Sequence, residues 1–345
     1  MLDTISSRKT NFIPWVDVIR FLAAFLVVLA HAVDLVNIPW VWGAFYYTLS
    51  RIAVPIFFMV SGYLILSHQE DFWTFFYKRF LKVFIPFLVW SIIFDLFREN
   101  PFQEHGFTLQ SVAGVIIRIL RGPRYDHLWF FYSLFGLYLF TPILRIFIKN
   151  AKLTEVLYFV ALWLLVKPVM LLMGEYFLIR QGFDLGFVDG YVGYFLIGYL
   201  LGQSEITRRM LVWSWLFFLI GFVFSFSVFY FDIPPVDNEL ILRDYLSLNI
   251  VIMSLGSFVV LRSALQTASK SLIYVAHISA PHIFGIYLIH PLILYWLTRN
   301  RWVLGFDSYQ WNALFMTPLL ALITFGSGWL IVYLMHRVPI LRALF

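Results

Sequence analysis

Two residues set the chemistry this sequence offers. Arg20 and His31 lie eleven positions apart in the stretch WVDVIRFLAAFLVVLAHAVD, and nothing between them is charged. At about 100° per residue, an α-helix returns after eleven residues to within roughly 20° of its starting direction, so both side chains share one face about 16 Å apart. Asp17 precedes Arg20 by three positions and Asp34 follows His31 by three, a spacing at which each carboxylate neighbours its partner. Histidine is the side chain whose ordinary pKa suits proton transfer near neutrality, and Asp34 is placed to orient its ring. Arg20 suits an anion, or the negative charge that develops on a carbonyl oxygen under attack. Each has a plainer reading as well: His31 as a hydrogen-bonded member of a helix bundle, Arg20 as an interface arginine paired with Asp17.

Other residues of chemical interest fall in short, separate motifs. Arg79 and Lys82 stand three apart in DFWTFFYKRFLK. Such cations anchor a chain at a membrane surface, and two on one face also suit a phosphorylated cofactor. Arg51 opens RIAVPIFFMVSGYLIL as an interface anchor. In the same stretch Pro55 frees a backbone carbonyl, and the small pair Ser61 and Gly62 either packs helices closely or lines a cavity. His127 stands beside Trp129, and His290 precedes Pro291 in IFGIYLIHPLILYW. These histidines are not spaced as metal ligands on one helix, and the chain has no cysteine. It carries no Walker loop, Gly-x-Ser-x-Gly elbow or dinucleotide fingerprint.

The elements that hold these residues are membrane helices. Of 345 residues, 61% are hydrophobic, 21% aromatic and only 13% charged, and the mean hydropathy is +0.84. Repeated apolar runs of that length and purity span bilayers. The sequence predicts an all-α polytopic bundle of about ten transmembrane helices, near 13–34, 44–66, 83–98, 127–148, 153–173, 188–202, 211–231, 243–262, 282–298 and 311–335, forming one integral-membrane domain over residues 1–345. The segment 109–122 is too short and too charged to span and reads as an interfacial or re-entrant helix. Residues 1–11 form a polar tail with Arg8 and Lys9, and the run after it is too long for the core of a signal peptide. The net charge of +6 comes from basic residues in short loops. They fit the positive-inside bias rather than nucleic acid, and they predict both termini in the cytoplasm.

Taken in order, the motifs resemble a known family. The pattern Asp-x2-Arg-x10-His of the first helix, Arg-x3-Pro-x-Phe-Phe-x2-Ser-Gly-Tyr-Leu of the second, Arg-x2-Lys in the link, HLWF and YLIHPL are similar to those of the acyltransferase family 3 membrane proteins, from residue 12 to the end. The compact length is similar to that of the enterobacterial common antigen O-acetyltransferase type. The resemblance implies an acyltransferase moving groups other than amino-acyl groups, usually acetyl, from acyl-coenzyme A to hydroxyls of envelope molecules. It implies a multi-pass protein of the bacterial inner membrane, with acetyl-CoA as co-substrate, a glycan or lipid-linked saccharide as acceptor, lipids as surroundings, and no metal. It assigns catalysis to His31 with Arg20, and the donor to Arg79 and Lys82; the residues themselves add Asp34 as the orienter of His31 and Arg20 as a further donor contact. Lys82 stands where the family usually has arginine, which keeps the charge and loses the fork. The remaining motif residues, Arg51, Ser61, Trp129, Tyr287 and His290, are the candidates for substrate contacts. His31 acts either as general base or through an acetyl-histidine. A carrier or flippase for an envelope precursor is the alternative from another class. One passage is expected from Arg20 to His31, walled by the first, second and ninth helices through Tyr287 and His290. The sequence sets no oligomeric state.

Overall fold

The computed structural model describes residues 13–35, 40–99, 108–177, 179, 182–232, 241–299, 313–342 and 344–345. The tail 1–11 and two basic residues, Arg180 and Arg301, lie outside them. The regular structure described is entirely helical. Among the described residues, eight helices are long and apolar enough to cross a membrane, or nine if one bent pair counts as a single span. The protein is thus a polytopic helix bundle, with somewhat fewer full spans than the hydropathy pattern suggests.

The helix α1 (Pro14–Val33) carries Arg20 and His31 and runs through the middle of the bundle. Proline at its first position lacks only an N–H that would have no helical partner there, and Asp17 in the first turn complements the helix dipole. The second span is α2 (Trp40–Ser50) followed by α3 (Ala53–Leu66), broken at Arg51. Pro55 explains the break: it sits in the first turn of α3, where its missing N–H costs nothing. α1 lies against both.

The basic stretch read as a surface link is instead the start of the third span, which runs from Phe72 to Arg98. It comprises α4 (Phe72–Arg79), a wide π turn (Phe80–Phe84) and α5 (Ile85–Glu99). Pro86 has no N–H for the carbonyl four residues back, and its ring crowds that carbonyl, which favours the wider turn. Beside this span lies α6 (Leu109–Arg121), the short amphipathic helix expected from sequence, capped by Thr108. Its Arg118 reaches Asp95 at 2.7 Å. Two further spans follow. One is α7 (Trp129–Asn150). The other is α8 (Leu153–Leu164), continued through a second π turn at Pro168 into α9 (Met170–Phe177).

The expected sixth span is α10 (Val192–Gln203), twelve residues long. At 1.5 Å per residue it reaches about 18 Å, short of a hydrocarbon core of about 30 Å. It lies inside the bundle, with Tyr194, Phe195 and Leu196 fully buried. Glycines let it approach α3 closely. A β-carbon on Gly62 would land on the Phe195 carbonyl, and one on Gly198 on the Met59 backbone. The long helix α11 (Arg208–Tyr230) pairs with α12 (Leu248–Ala264). Then α13 (Lys270–Ser279), absent from the sequence reading, meets α14 (Ile283–Arg299) at a 75° bend. The last span is α15 (Ala313–Met335), followed by the short α16 (Pro339–Arg342).

Candidate active site

His31 lies in the last turn of α1, and its Nδ1 is 2.9 Å from the Val27 carbonyl oxygen. A carbonyl only accepts, so in the neutral ring the proton sits on Nδ1 and the lone pair on Nε2. Val27 therefore does what the sequence reading gave to Asp34. The Asp34 carboxylate instead accepts the hydroxyl of Tyr47 on α2. Asp17 likewise turns from Arg20 to His277 on α13, at 3.0 Å. In both cases a neighbouring helix captures a carboxylate that local spacing had paired within α1.

Two more histidines meet His31. The His290 ring stands edge-on to it at 4.9 Å, and the His127 ring is 5.3 Å from His290. The backbone explains how His290 is held. Pro291 has no N–H to give the Tyr287 carbonyl four residues back. That carbonyl accepts from Nδ1 of His290 instead, at 2.7 Å. The Nε2 of His290 is left buried and without a partner, as are both ring nitrogens of His127. Tyr287 closes the cluster by donating its hydroxyl to the His127 carbonyl at 2.7 Å. Among the described residues no group of three or more His, Cys, Asp and Glu has metal-holding geometry.

Below the histidines opens a cavity of about 870 Å³ lined by Arg20, Ser61, Lys82, Tyr287, His336 and Arg342, with aromatic residues between them. No aspartate or glutamate side chain lines it among the described residues. The side chains of Arg20, Lys82 and Arg342 make no hydrogen bond or ion pair among the described residues, and three cations around one cavity suit an anion. The cavity ends at Phe57, Phe130 and Tyr287, whose rings form a layer with Phe130 centroids 6.1 Å from Phe57 and 5.7 Å from Tyr287. Neither His31 nor His290 lines it. The cavity at Arg20 therefore does not reach His31 among the described residues, and Tyr287 connects the two sites by lining the cavity and bonding the His127 carbonyl.

The structure also separates Arg79 from Lys82. The π turn between them rotates Lys82 into the cavity, whereas Arg79 bonds Glu70 at 2.5 Å and lies over the Phe75 ring. Lys78 reaches the same carboxylate at 2.5 Å, and Arg145 covers Phe75 at 4.7 Å. Burial pushes the Glu70 carboxyl up, but its bonds to Lys78 and Arg79 outweigh that and hold it below the usual carboxylate range. These groups border a second, smaller cavity of about 300 Å³.

The substrate candidates also divide. Ser61 and Tyr287 face the large cavity. Arg51 and Trp129 belong to an aromatic cluster around Tyr245, with Arg51 at 5.0 Å and Trp129 stacked at 5.5 Å. Tyr47, the partner of Asp34, stacks on Phe229 in that cluster, and Arg51 lies over the same ring at 5.5 Å. Sequence reasoning missed Glu70, Tyr245, His336 and Arg342. Only Arg342 carried any local signal, as a cation near the end of a long apolar span.

Residues 13–336 match the family model described as an acyltransferase domain. No curated protein matches the chain. No solved structure matches it either.

Proposed function

The chain belongs to the acyltransferase family 3 of membrane acyltransferases, and from that premise we propose that it moves an acetyl group from acetyl-CoA to a hydroxyl of a cell-envelope glycan or lipid-linked saccharide. The observation that carries the donor reading is the large cavity lined by three cations, Arg20, Lys82 and Arg342, with no aspartate or glutamate side chain among the described residues. Coenzyme A is an elongated polyanion with a thin, uncharged arm, and this cavity has charge at Lys82 and Arg342 and an aromatic end at Tyr287. Its volume suits a whole cofactor-sized ligand. The positive-inside bias supports a reading in which this end of the bundle faces the cytoplasm of a bacterial inner membrane, where acetyl-CoA is made.

The acceptor reading rests on His31 and on the aromatic cluster around Tyr245. Nε2 of His31 holds a lone pair, and the aromatic cluster with Arg51 and Trp129 suits the faces of sugar rings. In the proposed reaction Nε2 takes the proton of the acceptor hydroxyl as its oxygen bonds to the thioester carbonyl carbon. The carbon–sulfur bond then breaks, and the proton passes from His31 to the departing thiolate. Opening of the layer formed by Phe57, Phe130 and Tyr287 is required for donor and acceptor to meet. Arg20 lies about three turns from His31, which favours holding the donor over stabilising the reacting oxygen. The compact length makes an acceptor of the enterobacterial common antigen type the first to try.

The test is mass spectrometry of envelope glycans from cells carrying the wild type, His31→Ala or no gene. An acetyl increment present only with the wild type, at equal expression of the variant, is expected. An equal increment with His31→Ala removes the catalytic role of the histidine. A transported glycan without any increment supports the carrier reading instead.

A further inference from the structure

We propose that the C-terminal segment, residues 339–345, supplies the arginine fork for the donor's phosphates. Arg342 would act with Lys82, in the place that sequence spacing gave to Arg79. The inference rests on the coenzyme A reading above. Pro339, Arg342 and Phe345 all line the large cavity, on the same wall as His336. Arg79 has its charge met by Glu70 at 2.5 Å, while the Arg342 side chain makes no ion pair or hydrogen bond among the described residues. Lysine at 82 offers a point charge. The planar guanidinium of Arg342 offers two parallel donors to one phosphate, which is the geometry that Lys82 lacks.

The segment is seated by specific contacts. Trp90 is almost fully buried, and its indole N–H donates to the Leu344 carbonyl at 3.0 Å. A buried indole N–H needs an acceptor, so this bond fixes the backbone two residues beyond Arg342. The Phe345 ring lies 5.6 Å from Trp90 and 6.2 Å from His336. Gly285 at the start of α14 leaves room for it, since a β-carbon there would collide with the Phe345 ring. Arg342 also lies beyond residue 336, where the family match ends. The fork is thus a supplement carried by this chain's own C-terminal segment.

The experiment is calorimetric titration of the purified full-length protein in detergent with coenzyme A and, separately, with pantetheine, which lacks the phosphates. Arg342→Gln should weaken coenzyme A binding about tenfold or more and leave pantetheine binding unchanged, and Arg342→Lys should fall between. Lys78→Gln removes an equal charge that Glu70 already holds, and should change coenzyme A affinity less than about threefold. Trp90→Phe keeps every charge and removes the tether, and should weaken coenzyme A by several-fold. Unchanged coenzyme A affinity in Arg342→Gln overturns the role of Arg342 alone. Equal loss for pantetheine also overturns it, because the residue would then be shaping the cavity. Failure of the wild type to bind coenzyme A at all overturns the donor reading and this inference together.

Discussion

Replacing Arg20 with glutamine should make the empty protein more stable and the coenzyme-bound protein less so. Arg20 lines a cavity that has no aspartate or glutamate side chain among the described residues, and no carboxylate lies within ion-pair distance of it there. Taking an ion out of water costs several kcal/mol when dehydration is complete. This cavity is wide enough for water, so a net cost of about 1 kcal/mol is the reasonable discount. Glutamine and arginine have similar helix propensity, so α1 itself should be indifferent to the change. The midpoint of thermal unfolding in detergent should rise by about 2 °C without ligand. At a coenzyme A concentration 100 times its dissociation constant, the wild type gains about 2.7 kcal/mol. Losing one charge-assisted contact worth about 2 kcal/mol weakens binding about thirtyfold, so the same concentration stabilises the variant by only about 0.9 kcal/mol. The variant's midpoint therefore starts higher and ends lower than that of the wild type. A lowered midpoint without ligand, together with an undiminished shift on adding coenzyme A, would refute the reasoning. Arg20 would then be a structural residue held by contacts to the bundle.

Three more outcomes follow from the site and its frame. Asp34→Asn should keep acetyl transfer within a few-fold of wild type, because Asp34 serves Tyr47 and the Val27 carbonyl orients His31; a loss as deep as that of His31→Ala in the glycan assay would restore the carboxylate to the catalytic group. Glu70 is held below its usual range by Lys78 and Arg79 despite burial, so its contribution to stability is present above the unfolded carboxyl value of about 4.3 and is lost as pH falls through the lower folded value. Thermal midpoints measured between about pH 3 and pH 6 should converge for wild type and Glu70→Gln at the acid end, and parallel curves would count against it. Gly198→Ala puts a methyl on the Met59 backbone and should cost about 1–3 kcal/mol or more, read as a lower midpoint and reduced yield in the membrane; Gly43→Ala, where a β-carbon meets nothing within 4 Å, is the control that should remain near wild type.

The sequence by itself determined the class of the protein and the inventory of its site. Apolar runs of membrane length are a one-dimensional property, because lipid forces each span to satisfy its own backbone. The alignment of Arg20 with His31 on one helix is also local, since it follows from 3.6 residues per turn. Short-range pairing was far less secure. Asp17 and Asp34 were within reach of their neighbours on α1, yet His277 and Tyr47, distant in sequence, hold them. A carboxylate takes the best donor the whole fold presents, and a spacing rule counts only those on its own helix. The π turn decided a similar case, by turning Lys82 away from Arg79. Only the tertiary structure could assemble His31, His127 and His290, which come from α1, the approach to α7 and α14. Only the tertiary structure could line the Arg20 cavity with rings from three helices, Phe57, Phe130 and Tyr287. Bundle interiors are close-packed, so a line drawn along one helix face becomes an open passage only where no neighbour's side chain fills it.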